Sequence, residues 1–294
     1  MYRSGRMNTP ACFRFSKMTG ETDQSAWAGL LPDEDFRFHF GLQPGDAAEF
    51  FASTQNHANL IQQRRHWLEQ QPQTYSALLP ESATLLFETL CLARQWQSSP
   101  NTHSPEVGGP LQQCLDLGRT WEPDFLLLKP DADGQFRLVA ACVCFPSSWR
   151  LADKIGLPLE AIHAPVPTLN PSLGKSIGQF LAKLRPGPAW LRANWGLSRS
   201  PELNQHPARN LPRLIPPLAV DEVWLRIEHQ ALVALPETGG ILFGIRLEIV
   251  PLAEVKQHPT ATRGLIRALR TMPEEIAAYK NIAAARANLI ELLQ

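Results

Sequence analysis

The chain has 294 residues, and its 28 lysines and arginines balance 28 aspartates and glutamates. Neither sign gathers into long runs, so wrapping nucleic acid or lying on an anionic membrane is not expected of it. No apolar stretch approaches the roughly 20 residues that span a bilayer, and the N-terminus lacks the apolar centre of a secretory signal.

The first twenty residues carry Arg3, Arg6, Arg14 and Lys17 with no acid before Glu21. Gly5 and Pro10 interrupt any amphipathic helix there, so residues 1–26 read as a disordered basic tail rather than a transit peptide, and 27–294 as a single α+β domain. Five cysteines, Cys12, Cys91, Cys114, Cys142 and Cys144, have no framework spacing and read as reduced thiols of a cytoplasmic protein. Cys142 and Cys144 could hold a metal from one strand face, but "AACVCF" reads equally well as buried strand.

Beyond the tail, "DAAEFF", "NLIQQRRHWLEQ" and "PESATLLFETLCLARQWQ" place apolar residues three and four apart, which predicts a helical layer. Ser98 to Pro110 is rich in turn formers and predicts a surface loop, after which the chain becomes strand-rich. "DFLLLKP" and "QFRLVAACVCF" flank "DADG" and predict a hairpin. A crossover helix is expected near "SLGKSIGQFLAKL".

"AWLRANWGL" alternates, with Leu191, Ala193, Trp195 and Leu197 on one face and Trp190, Arg192 and Asn194 on the other. "VWLRIEHQALVAL" and "ILFGIRLEI" are joined by "PETGG" and predict a second hairpin. In its first arm Arg226, Glu228 and Gln230 lie opposite Leu225, Ile227 and His229. Two helices are predicted to close the chain, "PTATRGLIRALRTM" and "PEEIAAYKNIAAARANLIELLQ". Helices, strands, a crossover helix, strands and helices in that order predict a mainly antiparallel sheet.

There is no GxGxxG after a strand, no phosphate-binding loop, no HExxH, no CxxCH and no GxSxG elbow. A nucleotide cofactor, covalent haem and nucleophilic hydrolysis therefore have no support from motifs. What stands out is "LEAIHAPVPTLNP", residues Leu159 to Pro171, where Pro165 and Pro167 should hold the chain after His163 extended and stiff. Such a mount suits a metal-binding histidine; a turn that only routes the chain between sheet and helix is the plainer reading.

"FPSSWRLADKIGLPLEAIHAPVP", "LRANWGL", "LRIEHQALVALPETGGILFGIR" and "YK" resemble, in that order, the signature blocks of the haem-dependent oxidative N-demethylase family, also called dimethylamine monooxygenase. The resemblance runs from about Trp27 to the C-terminus. It implies a PAS-like antiparallel core with flanking helices, a non-covalent haem b, and electrons delivered by separate flavin reductase and iron–sulfur subunits. The implied reaction is oxidation by O2 of a methyl group on a secondary amine such as dimethylamine. The resulting carbinolamine collapses to formaldehyde and a primary amine.

The resemblance also implies roles for particular residues. His163 becomes the candidate iron ligand, and His229, standing where the family pattern is expected to carry arginine, the competing histidine. Arg192, Arg226, Lys154 and Arg150 are candidates for the propionates. Glu228, with Trp149 or Trp195 as an aromatic wall, would receive an alkylammonium, and Gln230 and Asn194 would orient the amine or donate to bound oxygen. A haem or small-ligand sensor of PAS-like build, binding without turnover, is the alternative.

Overall fold

The computed structural model of the protein describes residues 26–38, 40–96 and 108–294. The basic N-terminal stretch with Cys12, and most of the loop from Ser98 to Pro110, lie outside them.

The described residues build one antiparallel sheet in the order β1-β5-β6-β7-β3-β4-β2. The long strands are β3 (Asp124–Pro130), β4 (Phe136–Cys142), β5 (Ala189–Ser198), β6 (Trp224–Ala234) and β7 (Ile241–Pro251). The short β1 (Gln43–Gly45) and β2 (Ser76–Leu78) edge them. Both predicted hairpins form, as β3–β4 and β6–β7, and the mixed α+β class with an antiparallel sheet is as expected. The two edge strands had no alternating pattern long enough to read.

Helices α1 (Ala47–Phe51), α2 (His57–Gln70), α3 (Pro72–Tyr75), α4 (Ala83–Gln95) and α5 (Pro110–Thr120) pack on one face of the sheet. There Phe50, Phe51, Leu68, Leu86 and Trp121 close over Phe125, Leu127, Ala231 and Leu242. Helix α5 falls where strands were expected to begin. Its signal was blurred by Gly118, which is required because a Cβ there would meet the Sγ of Cys142 on β4 at 2.3 Å.

Further along the same face, α8 (Leu252–Lys256), α9 (Pro259–Thr271) and α11 (Arg286–Leu293) bury Leu197, Leu225, Ile227 and Val250. The opposite face is covered by α6 (Leu159–His163) and α7 (Lys175–Lys183). Their Ile162, Ile177, Phe180 and Leu181 pack over Leu126, Leu138 and Phe243.

Two predicted segments have a different form. The strip after His163 is not extended: His163 is the last residue of α6, Ala164 is helical (φ −53, ψ −36), and the Val166 N–H donates to the His163 carbonyl at 2.9 Å. The pre-proline bias is a preference, and this turn bond together with alanine's small side chain overcomes it. The final predicted helix is broken into α10 (Glu274–Tyr279), a short 3-10 turn and α11. Asn281, at φ 57, is the stop. The Ile282 and Asn281 N–H groups donate to the Ala277 and Ala278 carbonyls at 2.8 and 3.0 Å, the paired bonds of a Schellman cap.

Candidate functional site

The register of β5 on β6 sets Arg192 opposite Gln230, Asn194 opposite Glu228 and Gly196 opposite Arg226. Directly opposed residues share a face, so Arg192, Asn194, Gln230, Glu228 and Arg226 lie together on the face covered by α6 and α7. That cover is incomplete here: Asn194 is exposed, and Arg192, Glu228 and Gln230 are partly so. A polar strip toward this edge of the sheet thus opens to solvent.

Two predicted site residues point the other way. His229 is on the opposite face, its Nε2 at 2.8 Å from Glu248 Oε2. The Trp195 ring joins that side too, edge-on to Phe36 and packed against the cluster of α8, α9 and α11.

Glu228 is the acid of the strip, and both of its oxygens are engaged. Its Oε1 accepts from Ser147 Oγ at 2.6 Å and its Oε2 from Gln230 Nε2 at 3.0 Å. Arg226, only 4% exposed, spends its donors on protein: Nε on Ser147 Oγ, Nη1 on the Glu202 carbonyl, and Nη2 on the Phe145 and Leu203 carbonyls. Burial pulls its guanidinium down to about 10, partly countered by the charges of Glu228 and Asp124. A group so committed cannot also turn to a propionate.

Lys280, the lysine of the "YK" block, enters as a residue to which the sequence assigned no role. Beyond Leu191, β5 has no strand neighbour on its outer edge among the described residues, and the Lys280 Nζ donates to the Trp195 carbonyl at 2.6 Å. The same ammonium lies 5.3 Å from the centre of the Trp195 ring. Burial lowers its pKa to about 8, with Glu228 opposing and Arg192 assisting that shift. Neighbouring Tyr279, 47% exposed, is raised by burial and by the Glu228 charge. The signal was the Asn281 stop, which ends α10 where Lys280 can turn to the strand edge.

His163 overlooks the strip from α6. Burial, then the charges of Lys154 and Arg192, push its pKa down, which favours the neutral imidazole that binds metals. Neither ring nitrogen has a hydrogen-bond partner among the described residues. Lys154 lies 5.5 Å from the centre of the Trp149 ring and is itself lowered by burial. Arg192 is likewise lowered by burial, and its Nε is buried without a hydrogen-bond partner. Arg150 is exposed.

Two cations that make no ion pair among the described residues, beside a histidine whose burial favours the neutral form, are a donor set for an anionic ligand carrying a metal. Trp149, Ile162, Ile245 and Phe243 add apolar surface around them. A haem, with carboxylate arms, an apolar ring and an iron, fits that chemistry. Elsewhere, Cys142 ends β4 and Cys144 lies just past it, outside the strand; both are fully buried free thiols. No helix among the described residues is long and apolar enough to cross a membrane.

Residues 92–290 match the model of a family described as haem-dependent oxidative N-demethylase, alpha subunit-like, and this span contains every residue of the strip and its cover. Because the match takes in more than half of the chain, the protein belongs to the haem-dependent oxidative N-demethylase alpha-subunit-like family.

Proposed function

We propose that this chain is the haem-binding catalytic subunit of an oxidative N-demethylase acting on a small secondary amine, with haem b held non-covalently. The observation that carries this reading is the meeting of an unpartnered His163, the orphaned Arg192 Nε and Glu228 around one polar strip. His163 would hold the iron, and Arg192 and Lys154 would pair with the propionates, with Trp149 against the ring. Bound haem would supply the O2 chemistry that no side chain offers.

The chain's own part is to bind and orient the amine. Each Glu228 oxygen already takes one protein donor, which leaves a lone pair on each for a ligand. A secondary ammonium carries two N–H donors and matches that arrangement; a quaternary one carries none. Gln230 holds one carboxylate oxygen, and Asn194, exposed opposite Glu228, would orient the amine. The description of the family as alpha-subunit-like supports partner subunits, for which we propose a flavin reductase and an iron–sulfur protein as the source of electrons.

The test is spectroscopic. Purified with haem supplied, the chain should show a Soret band whose ligation state changes or is lost in His163→Ala. An unchanged band and ligation state in that variant would remove His163, and no band in the parent would sink the haem reading. Formaldehyde released from dimethylamine above the no-substrate control, with O2 and a reductase system, separates an enzyme from a sensor.

A further inference from the structure

Arg226 and Glu228 are two residues apart on one strand face, the spacing of a direct ion pair, yet no hydrogen bond or ion pair joins them among the described residues. Ser147 stands between them. Its Oγ accepts from Arg226 Nε at 2.8 Å, and a hydroxyl has one hydrogen, so that hydrogen is left for Glu228 Oε1 at 2.6 Å. The length is that of a charge-assisted O–H···O⁻ bond.

The surroundings hold Ser147 still. Gln205 N–H donates to the Pro146 carbonyl at 3.0 Å, and Ser148 N–H donates to the Gln205 carbonyl at 3.1 Å. Ser148 has φ 61, unusual for a residue with a side chain. The Arg226 guanidinium ties the same loop to β6 through the Phe145 carbonyl. A direct arginine–carboxylate fork would have set a full positive charge against both carboxylate oxygens, where it repels an incoming ammonium. The interposed serine fixes the carboxylate while leaving one lone pair on each oxygen.

We infer that Ser147, aimed by Arg226, is a positioning residue that holds Glu228 in the orientation that receives the substrate ammonium. This rests on the proposed reading of Glu228 as the ammonium acceptor. The same geometry assigns Arg226 to the support of Glu228 rather than to a propionate.

The experiment measures binding of dimethylammonium chloride to the haem-loaded protein by calorimetry. Ser147→Ala should weaken binding about tenfold, the worth of one hydrogen bond to a charged acceptor. Ser147→Thr, which keeps the hydroxyl, should return it to within about threefold of the parent. In a Glu228→Gln background, Ser147→Ala should change nothing further, a non-additivity that a merely structural role would not produce. Parent affinity in Ser147→Ala alongside weak binding in Glu228→Gln, or additive losses in the double variant, overturns the inference. Parent affinity in Glu228→Gln overturns the reading of Glu228 itself, and the inference falls with it.

Discussion

Arg64 on α2 and Asp124 at the start of β3 are 0% and 2% exposed, and their Nη1···Oδ1 distance is 2.6 Å. Arg64 also donates through Nε to the Gly118 carbonyl at 2.6 Å. Asp124 accepts from the Cys144 and Phe145 N–H groups at 2.7 and 3.0 Å. Phe145 in turn offers its carbonyl to Arg226, so this core pair anchors the loop that carries Ser147. Arg64→Met leaves a buried carboxylate held by two backbone amides alone, and should cost about 3–5 kcal/mol.

Asp124→Ala should cost at least as much, since it strands the guanidinium and orphans two N–H groups, each worth about 1–3 kcal/mol. In the double variant neither charge of this pair remains to be left alone. Its loss should therefore fall several kcal/mol short of the sum of the singles. Guanidinium chloride denaturation of the four proteins, at constant slope, measures the cycle. Additive losses, or an Arg64→Met cost below about 1 kcal/mol, would refute the argument that pairing offsets burial here.

Two further outcomes follow from polar groups that tie helices to the sheet. Burial pushes Glu122 up, but bonds from Thr54 N–H, Arg246 and His57 and the Arg246 charge outweigh it and hold this carboxyl below the usual range. Its stabilisation should be complete above the unfolded value of about 4.3 and vanish as pH falls through the folded value. Stability of Glu122→Gln should thus trail the parent at neutral pH and converge with it in acid; a gap independent of pH would contradict this. Glu88 on α4 accepts from the Glu237 and Thr238 N–H groups and the Thr238 hydroxyl at 2.6, 3.0 and 2.6 Å, fastening the β6–β7 turn. Glu88→Ala should cost about 2–4 kcal/mol and speed hydrogen exchange at those two amides, and unchanged protection there would refute it.

What could be read from the chain alone was whatever a local period encodes. The alternation of "AWLRANWGL" and "VWLRIEHQALVAL" was enough to put Arg192 and Asn194 on one face of their strand and Arg226, Glu228 and Gln230 on one face of theirs, because side-chain direction in a strand depends only on position; that the two faces are one was decided by the β5–β6 register. The ordered blocks were enough to name the family. Which polar residues meet, and through what, was decided by tertiary packing. His163, at the end of α6, and Trp149, in a loop, are folded over that face, and Arg226 turns to backbone carbonyls more than 20 residues away. Ser147 and Lys280 carry no period of their own. They reach the site because a loop pinned at Gln205 and a cap at Asn281 stop the chain where a strand face and a strand edge lack partners, and burial makes unpaired polar groups too costly to leave so.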